Sequence, residues 1–108
     1  MNYPYFRKLL RIAADAEDKK EFVAQYSIFA DPSEAQLDAI WEYAHNRTPL
    51  QIRQMAGLSQ NRFYENYGVP RRTTQEWENG RMSAPPYVTD LLAFAVISSL
   101  HWEILCDQ

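Results

Sequence analysis

The sequence predicts an all-α chain, and three features predict it. Apolar residues recur at helical spacing along nearly the whole length, Gly and Pro fall where these stretches begin or stop, and no segment alternates with period two in β-branched residues. Hydrophobic residues make up 46% of the 108 positions and charged residues 23%, the composition of a folded globule with one core, not of a disordered or fibrous chain.

The elements follow in order. Pro4 opens a first helix with Phe6, Leu9, Leu10 and Ala13 on one face, and the acidic run Asp15 to Asp18 precedes a second with Phe22, Val23 and Tyr26. Asp31-Pro32-Ser33-Glu34 supplies a cap, an N1 proline and an N3 glutamate for a third helix, striped by Leu37, Ile40, Trp41 and Ala44. Thr48-Pro49-Leu50-Gln51 repeats that opening for a short helix that stops at Gly57. Ser59 caps another, with Phe63 and Tyr67, that stops at Gly68. A third short helix runs from about Arg71 to Asn79 around Trp77 and stops at Gly80. Helices this short are unstable alone and must pack on one another. Pro85-Pro86 introduces a long hydrophobic C-terminal helix from Tyr87 to about Leu105.

These elements divide into a helical N-terminal extension, residues 1–47, and a unit of residues 48–108, packed as one compact body. The longest nearly uncharged stretch, Leu91 to Trp102, falls short of the roughly 18 to 20 residues that span a bilayer. No secretory pattern occupies Met1 to Leu10, and the lone Cys106 has no partner for an internal disulfide. The expectation is a cytoplasmic protein.

Catalytic patterns are lacking. His45, His101 and Cys106 stand at no metal-ligand spacing, there is no Gly-rich phosphate loop, and Asp15, Glu17 and Asp18 lack the alternation of a calcium loop. His45 ends a helix, where the dipole accounts for it. No enzymatic activity, metal or cofactor is expected.

Charge is unevenly spread. The net value is −3, yet residues 48–86 hold five basic and three acidic side chains, whereas residues 87–108 hold none and three. Binding to nucleic-acid phosphates is driven by Lys and Arg, so the middle third is where such a partner would be met. Arg71, Arg72 and Thr73 stand at the N-terminal end of a short helix; an Arg there can read guanine O6 and N7 or clamp a phosphate.

The run Leu58-Ser59-Gln60, Phe63, Gly68-Val69, Trp77-Glu78-Asn79-Gly80-Arg81 and Pro85 resembles the helix-turn-helix of the Cro and phage-repressor (XRE-like) type, over about 45 residues from Thr48 to Leu92. With the helices upstream, the chain looks like the small bacterial regulators with a helical N-terminal extension. The resemblance implies a lambda-repressor-like fold that reads double-stranded DNA at a palindromic operator, as a bacterial or phage transcriptional regulator that represses. It places Ser59, Gln60, Arg71, Arg72, Thr73, Gln75 and Glu76 over the duplex, and Asn79 and Arg81 on phosphates. Glu76 repels phosphate unless it accepts from cytosine N4. The resemblance also implies that Arg53 pairs with Glu78 beneath the surface. Phe63, Val69 and Trp77 read as core.

Two positions depart from that pattern. Pro70 stands where Ser or Thr usually caps the second helix, and Thr74 where Val or Ile is usual, which implies looser packing there. Two other readings stay open: an antitoxin-like autoregulator whose N-terminal helices neutralise a protein partner such as a toxin, and a protein-interaction module without DNA affinity. Finally, the last helix is apolar all round. Either the N-terminal helices cover its far side, or it is shared across a two-fold axis in a homodimer through Phe94, Ile97, Leu100 and Ile104.

Overall fold

The first three helices owe their starts to side-chain acceptors placed just ahead of each apolar stripe. In the computed structural model, which describes the backbone of residues 1–106 and the side chains of residues 1–100, α1 spans Tyr3–Asp15. Asn2 accepts from the Tyr5 amide at 2.9 Å, and Phe6, Leu9, Leu10 and Ala13 are buried. Helix α2 (Lys19–Tyr26) is capped by Asp18, which accepts from the amides of Lys20 and Glu21. It runs into a 3₁₀ turn, Ser27–Phe29, that ends at Ala30 with φ 67°. Helix α3 (Glu34–His45) begins two residues later than Asp31-Pro32 suggests. The Ser33 hydroxyl accepts from the Gln36 amide (3.2 Å) while the Gln36 side chain accepts from the Ser33 amide (2.9 Å), so the reciprocal box forms with Ser33 as cap and leaves Pro32 outside the helix.

The next three helices are eight residues each: α4 (Pro49–Ala56), α5 (Gln60–Tyr67) and α6 (Arg71–Glu78). Thr48 and Ser59 cap α4 and α5 through their hydroxyls, whereas Pro70, which has no acceptor on its side chain, leaves α6 without a side-chain cap. Helix α7 covers Pro86–Cys106. These seven helices and the 3₁₀ turn are the regular structure of the described residues; no strand occurs among them. None of the described helices is long and apolar enough to cross a membrane.

Packing is centred on α3 and α7. Helices α1 and α2 lie on α3, and α7 crosses α1, α3 and α4, so one continuous core joins Phe6 and Leu9, Leu37, Ile40 and Tyr43, Ile52, and Val96 and Ile97. Polar side chains tie the same layers. Gln36 donates to the Ile97 carbonyl (3.2 Å), the Tyr43 hydroxyl donates to Asp90 (2.7 Å), and Tyr67 bonds Ser99 (3.0 Å). Burial, then the Asp90 carboxylate, pushes the Tyr43 phenol well above its usual range. His45 and Trp41 donate to the carbonyls of Ala13 and Ala16, closing the end of α1.

This packing corrects the outward assignment of Ile97 on a surface shared with a second copy; Phe94 and Leu100 stay half-buried. Ile97 is wholly enclosed by its own chain, Phe94 lies 5.3 Å from the rings of both Tyr3 and Phe6, and Leu100 packs half-buried on the core. Helices α1, α3 and α4 pack against this part of α7. Ile104 lies outside the described side chains. Among the described side chains, α7 exposes Pro86 and the stripe Tyr87, Leu91, Ala95 and Ser98, one side chain per turn.

Candidate nucleic-acid interface

Gly68 decides how α5 meets α6. Its φ of 75° puts it in the left-handed region, where its amide donates to the Tyr64 carbonyl (2.8 Å) and ends α5 after two turns. Val69 and Pro70 then redirect the chain into α6, which packs on α5 and α4. Phe63 is buried at this junction, Val69 and Tyr67 are half-buried against the core, and the Phe63 and Tyr67 rings are 5.2 Å apart. Thr74, far from being loosely packed, is among the most enclosed side chains, and its hydroxyl donates to the Pro70 carbonyl at 3.3 Å.

A charged network joins the start of α5 to the end of α6. Arg53, on α4, donates to both oxygens of Glu78 at 2.7 Å and, through Nη1, to the Leu58 carbonyl at 3.0 Å. Gln60 donates to the same carboxylate at 3.3 Å. Glu78 thus accepts from two other helices, and the Arg53 hydrogen bonds hold its carboxyl below the usual range against the opposing effect of burial. The guanidinium is correspondingly raised.

Comparison with protein-family models, curated proteins and solved structures finds no match.

The remaining site residues distribute as follows. Arg71 and Arg72 are exposed at the start of α6, with Thr73, Gln75 and Glu76 half-buried behind them. Arg72 approaches Glu76 at 3.4 Å one turn on, so the negative charge on α6 is partly balanced within its own helix. Asn79 and Arg81 are exposed beyond the end of α6, where the Arg81 amide donates to the Glu76 carbonyl at 3.0 Å. Ser59 spends its oxygen on the Arg62 amide (3.2 Å) as a helix cap. Gln60 and Glu78 meet at one end of the pair of helices, while Arg71 and Arg72 stand at the other; no hydrogen bond joins the two groups among the described residues. Trp77 is half-buried and lines a cleft instead of joining the main core.

Two neighbours were not read from the sequence. Tyr64 and Arg62 are exposed on α5. Their signal is their place off the face that Phe63 and Tyr67 bury, a pattern visible only once that face is fixed. Chemically, the exposed groups form hydrogen-bond donors and cations on two short helices held rigidly from beneath.

Proposed function

We propose that this chain binds double-stranded DNA sequence-specifically, as a bacterial or phage transcriptional regulator of the Cro and phage-repressor helix-turn-helix type that represses by occluding a promoter. The observation that carries the reading is the pair α5 and α6, joined at a left-handed Gly68 and locked by Arg53, Glu78 and Gln60, with Arg71 and Arg72 exposed at the start of α6, Arg72 reaching back to Glu76 at 3.4 Å. A major groove about 12 Å wide admits such a helix, and paired N–H donors match guanine there. In this reading Arg71 and Arg72 read bases, Arg81 and Asn79 hold phosphates, and the protein works in the cytoplasm as a homodimer on a palindromic operator.

Selection of bound fragments from random duplexes tests it. One inverted repeat should emerge, and its affinity should fall steeply as salt rises. Arg71→Ala or Arg72→Ala should cost about 1 to 3 kcal/mol and relax one base position, whereas Arg81→Ala should weaken all sequences alike. Enrichment of nothing at any salt overturns the reading.

One observation favours the rival, an antitoxin-like protein or interaction module. Ile28 and Phe29, on the turn after α2, are 76% and 64% exposed, an apolar pair that a protein partner would cover. Co-purification of a second chain that Phe29→Ser releases would favour it.

A further inference from the structure

The last turn of α6 forms one wall of a cleft of ≈ 380 Å³ between the α3–α4 joint and the start of α7. Trp77, Met82 and Pro49 give it apolar surface, and Arg47 and Asp90 give it charge. Its size falls in the range that holds small ligands, about 300 to 1,000 Å³.

The two charged groups are unequally satisfied. Asp90 is fixed by the Tyr43 hydroxyl at 2.7 Å on one oxygen, while its other oxygen forms a long ion pair with the Arg47 guanidinium at 3.9 Å, without a hydrogen bond, so that a ligand can insert between the two charges. Arg47 makes no hydrogen bond among the described residues. A monoanion placed between them would meet Asp90 unfavourably, and a monocation would meet Arg47. A zwitterion whose cation and anion are close together offends neither. Arg47 and Asp90 also border an adjoining cleft with Arg7, Arg11 and Asp15, which keeps both signs of charge on that side as well. Against the apolar wall, the half-buried Trp77 ring offers a stacking partner.

From this arrangement we infer that the cleft binds a free aromatic α-amino acid, its carboxylate on Arg47, its ammonium on Asp90 and its ring against Trp77. The inference does not rest on DNA binding, because the measurement is made on the free protein. The isotope-labelled chain, residues 1–108, is titrated with phenylalanine, with phenethylamine, which lacks the carboxylate, and with hydrocinnamate, which lacks the amine. The Trp77 indole N–H resonance, identified through Trp77→Phe, reports binding. Phenylalanine should shift it saturably with a Kd of about 1 mM or tighter, and each analogue should bind about tenfold more weakly. Arg47→Gln, at an exposed site and checked by melting, should erase the preference for phenylalanine over phenethylamine; Asp90→Asn should erase that over hydrocinnamate. Should Asp90→Asn fail to fold, Arg47→Gln decides alone. An unmoved Trp77 resonance at about 10 mM phenylalanine, equal affinity for the three compounds, or an Arg47→Gln profile identical to the parent's overturns the inference.

Discussion

Glu78 is a single carboxylate that serves three helices. Its side chain is only 11% exposed and that of Arg53 21%, so the pair is neither a solvated surface bridge nor a fully buried one. Arg53→Met should lower stability by about 1 to 3 kcal/mol in a denaturant titration, because the carboxylate loses its principal donor while staying largely out of water. The pH dependence has a definite sign. A carboxyl whose folded pKa lies below its unfolded value contributes stability that is fully present above the unfolded value, near pH 4.3, and is lost as pH falls through the lowered folded value. Melting of Glu78→Gln should therefore decline less than the parent's as the solution is acidified below about pH 5. Gln60, assigned from the resemblance to DNA alone, also shares this carboxylate. Gln60→Ala should cost about 0.5 to 1.5 kcal/mol of stability, a cost absent when Glu78 is already Met and no acceptor remains; unchanged melting in both backgrounds would show that the 3.3 Å bond contributes nothing.

Helix boundaries came through the sequence wherever one residue has one local role. Thr48, Ser59, Gly57 and Gly68 act within a few residues of themselves, and their chemistry is legible without a third dimension. The start of α3 was misread because Asp31-Pro32 and Ser33 offer competing caps, and the choice depends on where the Gln36 side chain reaches. Nor could the orientation of α7 be read. A helix apolar on every side has no periodicity to say which face is inward, so Ile97 was assigned outward and is fully enclosed. Ile97→Glu should thus abolish cooperative melting, whereas Leu91→Glu on the exposed stripe should leave the fold intact. At the α5–α6 joint, an added Cβ on Gly68 would meet no neighbouring atom, so the left-handed backbone is the whole cost. Gly68→Ala should destabilise by about 1 to 2 kcal/mol and Gly68→Asn by less, read from thermal denaturation.

Across the whole molecule, residues 1–47 and 48–108 share their core. Phe6 meets Phe94, Tyr43 meets Asp90, and Gln36 meets Ile97 across that division. A fragment of residues 48–108 should show no cooperative unfolding transition by circular dichroism, because Phe94 and Ile97 would lose the helices that enclose them. The exposed arginines were legible as residue types, but the network beneath them joins α4, α5 and α6, an arrangement that pairwise spacing along the chain does not encode. Gln36 has a consequence of another kind. Its carbonyl closes the α3 cap while its amide nitrogen reaches the Ile97 backbone, so position 36 requires an acceptor and a donor on one neutral side chain of that length. Single-base changes to a glutamine codon yield Glu, Lys, Arg, His, Leu or Pro. Glu keeps the acceptor and turns an anion toward a carbonyl, Lys and Arg keep a donor and lose the acceptor, and none keeps both at that reach. Mutational drift at this position therefore has no easy neighbour to move to, and Gln36 should be among the slowest codons of the gene to change.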